Sequence, residues 1–193
     1  MIFDPAGNLY GATDWGGQYG EGVIFQLTPN ADGGWTENVL YNFTGSSDGG
    51  RAQVRPIRDS AGNLYGETTF GGLGYGVIWK LAPNSDGSWT ESTLYTFKGG
   101  RDGADPWGTS LALDSAGYVY GTTDKGGADD CGVVFKLTPT TNGPWKETVI
   151  HTFMDHPGCG SFGDLIFDGS GNLYGTTYGD GSKTFGSVYE IAP

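Results

Sequence analysis

Basic residues are scarce in this 193-residue chain, which has 10 Lys and Arg against 22 Asp and Glu and a formal net charge of −12. Phosphate binding needs a basic face whose counterions can be released, so this balance argues against nucleic acid and disfavours anionic membranes. No apolar run is long enough to span a bilayer, and Met1-Ile2-Phe3-Asp4-Pro5 lacks the basic-then-apolar order of a signal peptide. No window sustains a 3.6-residue apolar period, so no helix is expected. Cys and His occur only twice each, and there is no nucleophile elbow, phosphate loop or His-Glu zinc pattern.

Glycine and aromatic residues are abundant, with 37 Gly and an aromatic fraction of 14%. That is too many turns for a helical protein and too much bulky apolar surface for a disordered one, which leaves the all-β class. The length suffices for one sizeable core.

The phrase Gly62-Asn63-Leu64-Tyr65-Gly66 returns at Gly7 to Gly11, Gly117 to Gly121 and Gly171 to Gly175, with closing glycines spaced by 55, 55 and 54 residues. A fixed period marks a repeat array. Each copy carries an apolar run ending in Asp (strand A, as in Leu165 to Asp168), the phrase itself (strand B) and a run such as Gly132 to Leu137 (strand C). Strand D opens with Trp at Trp35, Trp89 and Trp145 and is absent from the fourth copy. Short β-branched and aromatic runs bounded by Gly, Asp, Asn and Pro read as strands. Four antiparallel strands per radially repeated unit predict a β-propeller, with a solenoid of sheets as the alternative. The expected architecture is one four-bladed domain over 1–193: blade 1 about 1–54, blade 2 about 55–109, blade 3 about 110–163, and a partial blade 4 about 164–193 lacking its outer strand. Met1 stands where Leu165 stands in the last unit, so the chain is expected to be cut from a longer array, and the missing signal does not argue for the cytoplasm. The incomplete blade also offers a route to homo-oligomers.

Strand alternation places the B-to-C and D-to-A loops on one face, here the loop face, and the A-to-B and C-to-D turns on the other. The turns are near copies of one another, while the loops diverge in length and chemistry, which marks the loop face as the candidate binding face. Asp4, Asp59, Asp114 and Asp168 in the A-to-B turns invite a calcium reading; the turn reading is preferred, since calcium takes six to eight oxygens and no motif supplies them. No cofactor is expected.

Leu-x-x-Asp-x-x-Gly-Asn-Leu-Tyr-Gly-Thr-Thr from Leu165 to Thr177, Gly126-Gly127 followed by Gly132 to Leu137, and Asp-Gly-Ala-Asp-Pro from Asp102 to Pro106 together carry a resemblance to the GloVer-type tandem repeats of bacterial choice-of-anchor surface proteins. It covers essentially the whole chain and implies a propeller-like, secreted or surface-displayed bacterial protein. It brings no catalytic motif, so function is argued from the site.

Several loop-face residues could carry chemistry. Cys131 and Cys159 read as a disulfide joining two loops in an exported protein, in preference to a metal pair with His156 as third ligand. Blade 2 breaks the repeat: Arg58 stands where the sister strands have Phe3, Leu113 and Phe167, and Glu67 replaces Ala12, Thr122 or Thr176. Arg51, Arg55 and Arg58 cluster nearby. An Arg-Glu bridge between blades is one reading of this break, and a polar pocket with Glu67 held by arginines is the other. Carboxylates beside aromatics, at Asp14 with Trp15, Asp102 and Asp105 with Trp107, and at Asp124, Asp129, Asp130, His156 and Asp180, fit a surface that stacks and hydrogen-bonds a sugar. The expected function is extracellular binding of carbohydrate or another ligand. The alternatives are a glycoside hydrolase using Glu67, Asp14 or Asp124, and a purely structural surface repeat.

Overall fold

The computed structural model describes residues 1–141, 143–154, 159–161, 163–178 and 186–192. Among these the chain is all-β apart from one 3₁₀ turn at Gly100–Asp102. Sheet 1 comprises β1 (Ile2–Phe3), β2 (Leu9–Ala12), β3 (Val23–Pro29) and β4 (Trp35–Asn42). Sheet 2 comprises β5 (Ile57–Arg58), β6 (Leu64–Thr68), β7 (Val77–Pro83) and β8 (Trp89–Thr96). Sheet 3 comprises β9 (Ala112–Leu113), β10 (Val119–Thr122), β11 (Val133–Thr138) and β12 (Lys146–Thr152), and sheet 4 comprises β13 (Ile166–Phe167), β14 (Leu173–Thr176) and β15 (Val188–Ile191). Within each sheet every strand pairs antiparallel with the next in sequence, and among the described residues sheet 4 has three strands. The same bulge recurs in the outer pair of the first three sheets, between Ile24 and Phe25, Ile78 and Trp79, and Val134 and Phe135.

The repeated phrase explains itself locally. Asp59 Oδ1 accepts the backbone N–H of Asn63 at 2.9 Å, while Oδ2 accepts the Asn63 side-chain amide at 2.7 Å and the Tyr65 hydroxyl at 3.0 Å. Asp4, Asp114 and Asp168 brace their turns the same way. Burial pushes the Asp59 carboxyl up, but its hydrogen bonds outweigh this and hold it below its ordinary value. The turn reading thus accounts for both oxygens of these carboxylates.

The closing glycine has a separate reason. Gly11, Gly66, Gly121 and Gly175 lie directly across the ladder from Phe25, Trp79, Phe135 and Tyr189, whose rings fold over them. A Cβ at any of the four would overlap that ring.

Alternation along the strands gives each sheet two apolar faces, and neighbouring sheets bury them against each other. Tyr10, Ile24 and Phe43 of sheet 1 meet Leu64, Trp79 and Leu81 of sheet 2. Tyr65, Ile78 and Phe97 meet Leu111, Val119, Phe135 and Leu137 of sheet 3, whose Ala112, Val134 and Phe153 meet Leu165 and Leu173 of sheet 4. Among the described residues, sheets 1 and 4 carry exposed apolar side chains. Val188 in sheet 4 is 76% exposed although its equivalents Ile24, Ile78 and Val134 are fully buried, and Met1 and Phe3 of sheet 1 are likewise exposed. No helix among the described residues is long and apolar enough to cross a membrane.

Candidate functional site

Single bridges join the loops of successive sheets on one face: Gly50 with Phe70, Ala104 with Lys125, and Ser161 with Thr177. The D-to-A loop of each sheet thus touches the B-to-C region of the next, as strand alternation predicts. Just after two of these bridge residues, and just before the third, sits a left-handed residue: Arg51 (φ 61°), Asp105 (φ 51°) and Gly160 (φ 68°). Their N–H groups donate to the carbonyls of Glu21 at 2.8 Å, Tyr75 at 3.1 Å and Cys131 at 2.8 Å. Glycine adopts this conformation freely, whereas other residues pay about 1–2 kcal/mol. Positions 51 and 105 therefore hold side chains where the backbone favours none, and strain of this kind clusters at functional sites.

Arg51 is the centre of one group. Its guanidinium lies 4.2 Å from the centre of the Trp15 ring and 5.2 Å from that of Phe70, with Nε 3.9 Å from the Glu21 carboxylate. Trp15 is 58% exposed, and Phe70 and Trp107 are also exposed. The Trp107 indole N–H donates to Gln53 Oε1, and Gln53 Nε2 donates to Asp14 Oδ1 at 3.2 Å. The Thr69 hydroxyl donates to the Pro106 carbonyl at 3.4 Å, tying the Phe70 and Trp107 loops together. The result is a ledge of three aromatic side chains with a guanidinium, an amide and a carboxylate among them. Such a surface can stack the apolar face of a ring and bond its hydroxyls.

A second group gathers residues from the same repeat position. Arg55 Nη2 donates to Asp164 Oδ2 at 2.5 Å, and the Ser110 backbone N–H donates to Asp164 Oδ1 at 3.2 Å. Burial pushes the Asp164 carboxyl up, yet the hydrogen bonds from Arg55 and Ser110 outweigh it and hold it low. Glu67 lies close enough to feel that charge but is 2% exposed, and neither of its oxygens has a partner. Burial, then the charge of Asp164, push the Glu67 carboxyl well above its ordinary range. Its counterpart Thr122 is satisfied by Thr109, hydroxyl to hydroxyl at 2.8 Å.

Two readings of blade 2 are thereby corrected. Arg55 does not bridge to Glu67: its partner is Asp164, where the pair is half-exposed and loses less hydration than a pair formed inside. The three arginines do not form one pocket either. Arg58 lies at the opposite end of its strand from the loop face, with its guanidinium beside Gly62 of the A-to-B turn, while Arg51 and Arg55 serve the two groups above. Glu67, a catalytic candidate from sequence, is buried in the core.

The remaining sequence candidates divide into bracing and surface roles. Asp102 accepts the Tyr95 hydroxyl at 2.8 Å and the Lys98 N–H at 3.0 Å, and Asp130 accepts the Gly126 N–H at 2.8 Å, so both hold their own loops. Asp124 donates its N–H to the Asp105 carbonyl at 3.0 Å and has Lys125 3.9 Å away. Burial, then the Asp124 charge, raise the Asp105 carboxyl. Asp129 is exposed, and Cys131 and Cys159 form the disulfide. His156 and Asp180 lie outside the described residues. The exposed His151 has its ring centre 5.0 Å from that of Phe153 and 6.3 Å from that of Tyr189. Sequence reasoning missed Phe70 and Gln53; Phe70 was findable, since it holds the repeat position of Trp15.

Comparison with solved structures shows fold likeness. A putative gluconolactonase aligns at 18% identity with TM-score 0.53, covering 89% of this chain and 53% of that one. A protein of unknown function from Dyadobacter fermentans aligns at 12% identity with TM-score 0.52, covering 89% and 55%. The chain thus spans about half the length of these structures. No curated protein matches it. The repeat that organises the sequence and the propeller-like sheets it builds are matched from residue 1 to residue 193 by one family model, and the chain belongs to the Gloeobacter/Verrucomicrobia repeat family.

Proposed function

We propose that the chain is a non-catalytic, extracellular binding module that takes a carbohydrate or another polyhydroxylated ligand on the loop-face ledge, with the four sheets acting as consecutive propeller blades. The observation that carries this reading is the cluster of exposed Trp15, Phe70 and Trp107 around Arg51, Gln53 and Asp14. Large aromatic surface left exposed on the loops of a sheet array offers ring faces for a ligand to stack on, and polar groups between the rings supply orientation. The disulfide between two loops supports an oxidising compartment, although it names no particular one. Buried Glu67 and loop-braced Asp102 and Asp130 weigh against a hydrolytic centre.

One observation favours the hydrolytic alternative: Asp105, strained and raised by burial, beside Asp124, whose carboxylate charge raises it further. A carboxyl raised by burial beside a second carboxylate is an arrangement that general acids use. One experiment separates the two readings. Purified protein is tested for retention on immobilised polysaccharides and for turnover of chromogenic glycosides, alongside Trp15→Ala, Trp107→Ala and Asp105→Asn. Binding weakened by about 1–2 kcal/mol, roughly 5- to 30-fold, in each Trp variant supports the module. Turnover lost in Asp105→Asn, or retention indifferent to both Trp substitutions, displaces it.

A further inference from the structure

The interfaces between sheets repeat a Tyr-Trp contact, and among the described residues Tyr120, the next Tyr in the series, has no such Trp. Tyr10 of sheet 1 meets Trp89, the first residue of β8, with ring centres 6.2 Å apart. Tyr65 of sheet 2 meets Trp145, just ahead of β12, at 6.4 Å. Trp145 is tied to the sheet before it by its backbone N–H, which donates to the Leu94 carbonyl at 3.2 Å. The next seat in the series would hold a Trp from a fourth strand of sheet 4 against Tyr120. Among the described residues that sheet has three strands. At the expected place lies a cavity of about 310 Å³ lined by Tyr120, Ile150, Phe167, Leu173 and Ile191. Ile150 is the repeat counterpart of Leu94, so the carbonyl that would accept the incoming backbone N–H belongs to a residue of the cavity wall. Beside the cavity runs β15, which among the described residues pairs only with β14.

We infer that the free edge of β15 and this cavity form a docking site for an extended peptide segment of the chemistry of β4, β8 and β12: Trp at its head, then alternating bulky apolar residues. The edge supplies a row of unpaired backbone groups for strand addition, and the cavity supplies the side-chain specificity. The register follows from the three complete outer pairs. Glu37 faces Leu27 and Val39 faces Phe25 in sheet 1, with Glu91 and Leu81, Thr93 and Trp79 repeating the pattern in sheet 2. Transferred to sheet 4, the third residue of the docked strand faces Ile191 and the fifth faces Tyr189, with the bulge just beyond, and the leading indole fills the Tyr120 seat. Continuity with two formed copies of the same interface selects this occupant over an unrelated apolar ligand.

The test extends the whole chain after Pro193 with a copy of its own residues 84–97, the turn and strand that follow Pro83 in sheet 2. Three proteins are compared: the parent, the extended chain, and the extended chain with the copied strand carrying Trp89→Ala. The extended chain is expected to melt at least about 5 °C above the parent. Its added segment should resist protease, and the Trp89→Ala copy should lose most of the gain. A synthetic peptide of residues 89–97 added to the parent should raise the melting temperature in a saturable way. An unchanged melting temperature with the added segment trimmed away as a loose tail would overturn the inference. So would an Ala copy that stabilises as well as the Trp copy, since the seat would then have no role. A parent dimer joined through β15, left intact by the extension, would assign the edge to a second copy instead.

Discussion

Replacing Glu67 by Gln isolates the energetic consequence of a carboxyl buried with no partner. Glu67 is 2% exposed, neither oxygen is bonded, and burial followed by the nearby Asp164 charge raises it well above its ordinary value of 4.5. The native state therefore keeps the proton over a pH range in which the unfolded chain has lost it. Within that window the native state binds one proton more than the unfolded state, so stability falls as pH rises, by about 1.4 kcal/mol per pH unit. The loss begins at the unfolded value of 4.5 and ends where the native carboxyl finally ionises. For a chain of this length about 1.4 kcal/mol corresponds to roughly 3–6 °C of melting temperature. Gln cannot ionise and has nearly the same shape, so Glu67→Gln should match the parent near pH 4.5 and melt progressively higher above it. Burial and then Asp102 raise Glu147 to about 7, which gives the same sign over part of the range, but both proteins carry it and it cancels in the difference. Carboxyls held low, such as Asp59 and Asp164, contribute stability that is present above 3.8 and lost as pH falls below it, outside the window. Paired calorimetric melts of parent and variant from pH 4.5 to 8 make the measurement. A difference that does not change with pH would refute the reasoning, since it would mean that Glu67 is ionised in the folded protein.

Two further outcomes are expected. Gly66→Ala puts a Cβ into the Trp79 ring across the ladder, in the middle of a buried strand, and should cost about 1–3 kcal/mol in a denaturant titration; a midpoint equal to the parent's would mean the ring can move aside. Reducing the Cys131–Cys159 bond, whose partners are 28 residues apart, releases a loop whose closure stabilises the fold by about 3–4 kcal/mol. The melting temperature under reductant should fall by roughly 7–16 °C, and a Cys131→Ser/Cys159→Ser double variant should show the lower value without reductant.

Much of the fold was legible because its determinants are local. An Asp with a Gly-Asn-Leu-Tyr-Gly phrase closes its own turn through three hydrogen bonds within seven residues, and the glycine is required by the ring opposite it, so both leave a mark at every period. The three D runs of the sequence likewise reappear as the outer strands of the first three sheets. The loop face, too, followed from strand alternation, and most of the ledge residues were named from it. What the chain order could not decide was which loop side chains meet. Arg55 finds Asp164 across 109 positions, Trp107 finds Gln53 across 54, and Arg51 inserts between Trp15 and Phe70 from two different sheets. Those choices depend on the angle between sheets and on the relative hydration of each charge, quantities that exist only once the faces have packed. Glu67 shows the limit most plainly: its sequence neighbours suggested an ion pair, and only the packed core, by excluding water and sending Arg55 elsewhere, left it a buried acid.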